Sequence, residues 1–318
     1  MKHLQRTSAG RIARLGIFGL LAATLLVGTT FLSSTKVEAN HPVLVEGNCD
    51  SPVPGTTIVE KGTCGDFDGD GRIGTAEDTD GADRIFGTLK AALGPGTGAA
   101  AGTGANHNGS ILIVKSGRFA ETLVIGNAGF IPGEGTATPG NVTIEAAPGV
   151  EADIDAVLQG DPAGGNTARQ AGAGIVIIYS ASDSVVTLRN LTIRNFLEGV
   201  GAALNARVVI DNCRFENNRD HAVRIQDSVR LTVSNSQFTA NGRRIPVSGP
   251  STPGNGLTVQ NAAQARVYNS VFSHNLAAGI SNLTGIAGNV VLFKVGTFFN
   301  GTDINGPVTI APNPNQSN

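Results

Sequence analysis

The chain has 318 residues, and its 23 Lys and Arg residues nearly balance its 25 Asp and Glu residues. A formal charge of −2 provides no basic face, which argues against a nucleic-acid partner. The length allows one or two domains.

Residues 1–39 are predicted to be a signal peptide. A basic start precedes the uncharged apolar run 15–32, and Val37-Glu38-Ala39 places small residues where a signal peptidase cleaves. The alternative is an uncut membrane anchor, for which the run is long enough. Cleavage would leave residues 40–318 with a formal charge near −6 and no other stretch that could cross a membrane. We therefore expect a secreted protein, located outside the cell, at its surface or in the periplasm.

Residues 66–77 read D-F-D-G-D-G-R-I-G-T-A-E, which fits the twelve-residue calcium loop of an EF-hand. Ca²⁺ prefers six to eight oxygen ligands, and alternate side chains of a tight loop converge on one point. The predicted ligands are three aspartates, a main-chain carbonyl and a bidentate glutamate: Asp66, Asp68, Asp70, Arg72 and Glu77. The loop resembles one half of a dockerin repeat, and calcium is the cofactor it predicts. The alternative is a solvated acidic turn.

Cys49 and Cys64 flank a Pro/Gly-rich stretch just before this loop. In an exported chain we predict a disulfide between them, with two free thiols as the alternative. Residues 40–82 would then form a disulfide-closed segment in which calcium has a structural role. Cys213 has no partner left and is predicted to pack in the core.

From residue 174 onward the sequence repeats every 22 or 23 residues, with one longer copy of 34. The copies are marked by Asn190, Asn212, Asn235 and Asn269, and a weaker fifth copy has Val295 in this place. Apolar residues lie two and four positions before each marker. A second column pairs a small residue with an aliphatic one, as in Gly199-Val200, Ala222-Val223, Gly256-Leu257 and Gly279-Ile280. The period-two alternation predicts strands with one buried face.

Short strands at this period, with no amphipathic helix between them, predict an all-β, right-handed parallel β-helix. A leucine-rich solenoid is the alternative, although its leucine consensus is absent. Equivalent side chains of successive coils would form columns. We predict an aromatic stack of Phe215, Phe238, Phe272 and Phe298, and an amide ladder of the marker asparagines.

The segment before the repeats predicts a helix over residues 83–93, strands over 111–114 and 123–125, and a turn at 116–119. Its sequences F-G-T-L-K-A-A-L and I-L-I-V-K-S-G-R-F-A-E-T-L-V-I resemble the opening of pectin-lyase-fold proteins, especially pectin methylesterases. The resemblance implies that the helix caps the first coil.

The capping helix and the β-helix would together span residues 83–305. A disordered, Pro/Asn-rich tail is predicted over residues 306–318.

Enzymes of this fold need several carboxylates, or an arginine, on one outer face. Glu198, Asp220, His221 and Arg224 are the candidate catalytic residues, because Glu198 and His221 occupy equivalent places on adjacent coils. A turn with ordinary surface charges is the alternative.

Two further pairs of opposite charge are predicted on neighbouring coils. Arg189 should lie beside Asp211, and Arg194 beside Glu216. We interpret both as ion pairs on a solvated β-surface.

Two functions stay open. The first is a non-catalytic, calcium-binding secreted β-helix that serves cell-surface structure, adhesion or glycan binding. The second is a polysaccharide lyase, hydrolase or esterase that acts on the β-helix face. The sequence favours the first, since it lacks an evident carboxylate constellation. After cleavage the chain has no Trp, and only Tyr179 and Tyr268 carry a polar-tipped ring.

Overall fold

The computed structural model describes residues 43–46, 85–86, 88–93, 110–126, 136–137, 141–155, 173–179, 184–242 and 254–312. All of them belong to one unit, Asn40–Asn318. The predicted signal peptide, disulfide pair and calcium loop lie outside these residues.

The described residues form 25 short strands, one short α-helix and one turn of 3₁₀-helix. The first twelve strands are β1 Val43–Glu46, β2 Ile85–Phe86, β3 Ser110–Lys115, β4 Gly117–Phe119, β5 Leu123–Gly126, β6 Thr136–Ala137, β7 Val142–Ala146, β8 Ala152–Asp155, β9 Ala173–Tyr179, β10 Val185–Arg189, β11 Leu191–Arg194 and β12 Glu198–Leu204. The others are β13 Arg207–Asp211, β14 Arg214–Glu216, β15 His221–Ile225, β16 Arg230–Ser234, β17 Gln237–Thr239, β18 Asn255–Val259, β19 Gln264–Tyr268, β20 Val271–Ser273, β21 Ala278–Asn282, β22 Val290–Phe293, β23 Gly296–Phe298, β24 Thr302–Asn305 and β25 Thr309–Ile310. The helix α1 spans Leu89–Leu93, and the 3₁₀ turn spans Ala287–Asn289.

The strands pair in parallel within three sheets. In order across each sheet, the first is β2-β1-β3-β7-β10-β13-β16-β19-β22-β25, the second β23-β20-β17-β14-β11-β8-β4, and the third β24-β21-β18-β15-β12-β9-β5-β6. From β7 to β24 the chain visits the first, second and third sheets in turn, and then starts again one level along. This path is that of a parallel β-helix, so the predicted all-β, parallel β-helix architecture is confirmed. We call one passage through the three sheets a coil.

The core consists of columns of equivalent residues, as the repeat predicts. In the first sheet, Val186, Val208, Leu231 and Ala265 align one above the other, and all four are buried. Cys213 also packs in this core as a free thiol, and burial raises its pKa to about 12. The predicted place of Cys213 is therefore confirmed.

The aromatic stack is shorter than predicted. The rings of Phe215 and Phe238 lie 5.0 Å apart, and those of Phe238 and Phe272 lie 4.3 Å apart, both stacked. The partner of Phe272 in the next coil is Thr297, while Phe298 is 43% exposed.

A one-residue slip in the last copy of the repeat explains this error. Tyr268 pairs with Phe293, so the residue equivalent to Asn269 is Lys294 and not Val295. Shifting a strand by one residue moves every side chain to the opposite face. Val290 and Leu292 therefore fill the core, and Phe298 points outward.

The continuous amide ladder lies in a different column from the one predicted. It consists of Asn218, Asn241, Asn275 and Asn300, in the turn between the second and third sheets. The first three Nδ2 groups each donate to the Oδ1 of the next coil, over 3.1, 2.9 and 2.8 Å in turn. Each Nδ2 also donates to a main-chain carbonyl of the preceding coil, as from Asn241 to Phe215 at 3.2 Å.

The marker asparagines have a different role, since they hold a left-handed backbone. Asn190, Asn212, Asn235 and Asn269 have φ between 46° and 56°, a region that asparagine tolerates better than most residues. Of their side chains, Asn212 Nδ2 donates to Asn190 Oδ1 at 2.8 Å, whereas Asn235 donates to Asp211. The prediction of a ladder in this column is therefore wrong beyond one step.

The column of small residues that contains Gly199, Ala222, Gly256 and Gly279 is explained by the aromatic stack and the amide ladder. A Cβ atom on Gly256 would lie 2.6 Å from the ring of Phe272 and 3.2 Å from Nδ2 of Asn275. The aromatic stack and the amide ladder thus fill the space that a larger side chain would need.

The two ends of the fold differ from prediction. Within the predicted helix over residues 83–93, Leu89–Leu93 is helical, whereas Ile85–Phe86 forms a strand that pairs with β1. The predicted turn at residues 116–119 contains β4 of the second sheet. In the predicted tail, Thr309–Ile310 pairs with β22, so strand pairing continues beyond residue 305.

We predict that the ladder stabilises the fold more than the marker column does. Asn241→Ala leaves buried donors and acceptors of two neighbouring coils without partners and should cost about 2–3 kcal/mol of unfolding free energy. Asn212→Gly, at an exposed left-handed position, should cost less than about 1 kcal/mol. Urea unfolding of both variants measures the difference, and equal losses would contradict this assignment.

Candidate functional site

Three of the candidate residues, Glu198, His221 and Arg224, lie on the outer face of the third sheet, where two columns of side chains point away from the core, and Asp220 directly precedes β15. One column runs through Glu198, His221, Asn255, Ala278 and Thr302, and the other through Gly201, Arg224, Thr258, Ser281 and Asn305. Inward-facing Val200, Val223, Leu257 and Ile280 lie between them and are buried. Three positions separate the two columns along each strand, an odd spacing that regular alternation would send to opposite faces. The Glu198–Arg224 ion pair and the contact between His221 Nδ1 and Thr258 Oγ1 nevertheless bring both columns to one surface.

Glu198 and Arg224 form an ion pair across adjacent coils. Arg224 Nε lies 3.0 Å from Glu198 Oε1, and the two side chains are 38% and 12% exposed. A Cβ atom on Gly201 would lie 2.9 Å from Glu198 Oε2. The absence of a side chain at Gly201 thus leaves room for the carboxylate.

Glu198 is held in a surrounding that disfavours its charge. Burial raises the pKa of Glu198 above its ordinary value, and the nearby charge of Asp220 adds to the rise. The charge and hydrogen bond of Arg224 oppose it. Among the candidate residues, Glu198 and Arg224 are therefore in contact, and Asp220 acts on Glu198 through its charge.

His221 is buried beside this pair. Its Nδ1 lies 3.2 Å from Oγ1 of Thr258, and Asn255 Nδ2 donates to the same oxygen at 3.0 Å. Burial, together with the nearby charge of Arg224, lowers the pKa of His221 to about 4, and the charge of Asp220 opposes the shift. His221 is therefore a neutral imidazole at neutral pH.

A cleft of about 650 Å³ opens over these columns. Arg224 and His221 line one end, and side chains with hydroxyl or amide groups line most of the rest: Asn255, Thr258, Gln260, Ser281, Thr302 and Asn305. Asn305 Nδ2 donates to Ser281 Oγ at 3.2 Å. Glu198 and Asp220 are not among the lining residues that the structure describes.

The sequence identified His221 and Arg224 but missed the polar residues of the later coils. Their signal was present, because Asn255, Thr258, Ser281 and Asn305 occupy the places equivalent to His221 and Arg224 in the register. A search for catalytic groups looks for charged side chains, so it does not select these neutral ones.

The long insertion of the repeat leaves and re-enters the fold beside this cleft. A Cβ atom on Gly242 would lie 2.4 Å from Cα of Gly254 and 2.7 Å from Cβ of Leu276, which lines the cleft. The two ends of the insertion are therefore in contact at the cleft rim, and residues 243–253 lie outside the described part of the chain.

The two predicted ion pairs are both present. Arg189 Nε lies 3.7 Å from Asp211 Oδ2, and Arg194 Nη1 lies 3.5 Å from Glu216 Oε1. Arg194 also contacts Asp153 and buried Asp155, at 2.7 and 2.9 Å. These charged side chains of the first and second sheets are thus paired with one another.

The tyrosines are not part of the cleft. Tyr179 is buried, which raises its pKa to about 12. The ring of Tyr268 stacks on that of Phe293 at 4.6 Å, in the outer column of the first sheet.

The predicted calcium ligands Asp66, Asp68, Asp70, Arg72 and Glu77, and the predicted disulfide Cys49–Cys64, lie outside the described residues. Within the described ranges, no group of three or more His, Cys, Asp or Glu side chains is arranged to hold a metal ion. No helix in that part of the chain is long and apolar enough to span a membrane.

A comparison with protein families agrees with this architecture. The model of a family described as "Right handed beta helix region" matches residues 156–293. The fold is a right-handed parallel β-helix. Among solved structures, the crystal structure of pectate lyase Pel9A is similar at 16% identity and a TM-score of 0.36, covering 66% of this chain and 71% of that chain. A likeness at this level carries no argument about activity. No curated protein matches the chain.

We predict that His221 makes the fold less stable in acid. Its folded pKa of about 4 lies below the unfolded value of about 6.5, so the unfolded state binds the proton first as the pH falls. The contribution is fully present above the unfolded pKa and is lost as the pH falls toward the folded one. Between about pH 7 and about pH 4.5, the wild type should lose about 2 kcal/mol more unfolding free energy than His221→Gln. Equal losses, measured by urea unfolding at both pH values, would refute the buried neutral state.

Proposed function

We propose that this protein binds a glycan in the cleft on the third sheet, and that it does so without cleaving it. The observation that carries the proposal is the lining of the cleft, in which six of the described side chains carry amide or hydroxyl groups, and Thr302 and Asn305 expose theirs to solvent. Such groups both donate and accept hydrogen bonds, as sugar hydroxyls do. A ligand site needs a concave surface with a few convergent polar groups, and this cleft has both.

The charges near the cleft support binding rather than turnover. Glycoside hydrolysis requires two carboxyl groups on either side of the scissile bond. Glu198 is paired with Arg224 and does not line the cleft. A base with a pKa of about 4, as for His221, accepts a proton poorly near neutral pH.

The alternative is a polysaccharide lyase, hydrolase or esterase that uses Glu198, Asp220, His221 and Arg224. It is supported by the cluster's location at one end of the cleft and by the raised pKa of Glu198. Turnover of a polysaccharide that His221→Ala or Arg224→Ala abolishes would establish this alternative and overturn non-catalytic binding.

We further propose that the protein is secreted through the signal peptide over residues 1–39 and acts outside the cell, at its surface or in the periplasm. Its partner would be a polysaccharide or a cell-surface glycan. The loop Asp66–Glu77 would hold Ca²⁺ as a structural ion next to a Cys49–Cys64 disulfide. These proposals rest on the sequence patterns alone.

Glycan binding is tested with the mature protein on a panel of neutral and uronate-containing polysaccharides. A double variant, Thr302→Ala with Asn305→Ala, removes two exposed polar groups of the cleft and should weaken binding about tenfold or more. Gln264→Ala, on the exposed face of the first sheet, is the matched control and should bind as the wild type does. Affinity electrophoresis measures both, and a blank panel would contradict glycan binding.

Calcium binding is tested by thermal unfolding. Since a single loop binds weakly, with a Kd of roughly 10⁻⁴ to 10⁻³ M, about 10 mM Ca²⁺ should raise the wild-type Tm by a few degrees. Glu77→Gln removes the bidentate ligand and should show little shift. Asp78→Asn, which changes the same charge one residue outside the loop, should respond like the wild type. An equal calcium shift in Glu77→Gln would eliminate the site.

A further inference from the structure

The turn between the second and third sheets contains a column of left-handed residues. From one coil to the next, the backbone has a φ of 56° to 63° at Asn195, Asn217, Ala240, His274 and Phe299. Asparagine suits this conformation because its short side chain bonds locally. The first two coils therefore have the residue that the backbone favours, and the last two have aromatic rings instead.

Phe299 is the most unusual member of this column. A bulky residue at positive φ is strained, and such strain persists where it serves a function or is compensated by packing. Burial in the core does not provide the compensation here, since Phe299 is 77% exposed. Phe299 costs stability through its strained backbone and through the apolar surface that it exposes. Its role is therefore not the stabilisation of the fold.

The rings at this turn form an ordered surface. His274 stacks on Phe299 with the ring centroids 5.2 Å apart and a 30° angle between planes. Phe298 meets Phe299 edge-on at 5.7 Å. Two neighbours thus hold the Phe299 ring while much of it faces solvent.

This surface adjoins the cleft. Leu276, two residues after His274, lines the cleft, and so does Gly301, two residues after Phe299. Two Cα–Cα steps of about 3.8 Å place the backbone of each aromatic residue within about 7.6 Å of a lining residue. Between them, Asn275 and Asn300 fix the turn through the amide ladder.

We propose that Phe299, supported by His274, is a stacking platform for one sugar ring of the glycan bound in the cleft. The C–H groups on one side of a pyranose ring form an apolar face, which the negative face of an aromatic ring attracts. This inference rests on the glycan binding proposed above. It adds a residue that determines the affinity of the protein for a sugar ring at the edge of the polar cleft.

The test uses Phe299→Asn, which restores the residue that suits the left-handed turn. The variant should unfold about 2 °C higher than the wild type, because strain and apolar exposure are both relieved. Its glycan affinity should fall about five- to tenfold, because the platform is lost. Ala240→Asn makes the matched change two coils earlier, at Ala240, and should raise the Tm without changing affinity.

Each outcome of this experiment decides one question. A wild type that binds no glycan refutes the proposed function, whereas a wild type that binds and a Phe299→Asn variant with equal affinity refute the platform alone. A Tm that falls in Phe299→Asn with affinity unchanged would show that Phe299 is structural. If the wild type self-associates in light scattering, and Phe299→Asn abolishes this without affecting glycan affinity, the ring is a protein contact and the platform is refuted.

Discussion

In-register parallel stacking is the constraint on which the rest of this structure depends. Each coil places its residues directly over those of the previous one, so a side chain must fit its counterparts above and below as well as its own coil. Stacked Phe215, Phe238 and Phe272 and the amide ladder satisfy this requirement in the core. Because these columns fill the corner between two sheets, the facing position accepts only Gly or Ala.

The same register builds the candidate site. Outward positions of the third sheet repeat from coil to coil. One polar residue at the equivalent position of each coil is therefore enough to produce a continuous polar surface. The charged groups, Glu198 and Arg224, are at one end of it and pair with each other. Later coils carry Thr258, Ser281 and Asn305 in place of charges, so the described lining residues of the cleft have hydroxyl and amide groups and no carboxylate.

The repeat in the sequence predicted the fold class, the buried columns and the two surface ion pairs, since period-two alternation and coil length determine them. It could not distinguish the two asparagine columns, because composition alone does not show which asparagines are buried and which hold a left-handed turn. It also misplaced the last coil: Val295 and Lys294 are both compatible with the marker position, and a one-residue slip exchanges Thr297 and Phe298 between core and surface. The cleft was missed because its polarity comes from neutral groups.

The direction of the amide ladder explains how its last described member is satisfied. The Nδ2 groups of Asn218, Asn241 and Asn275 each donate to the next coil, so the amide dipoles align and the last amide, that of Asn300, presents its donor at the end of the row. At Asn300 this donor meets a carboxylate, since Nδ2 donates to Oδ1 of Asp303 at 3.0 Å. A negative charge at the donor end of aligned dipoles is favourable for the same reason as an acid at a helix N-terminus. Asp303 therefore takes the place of a further asparagine, and the ladder needs no additional coil beyond Asn300.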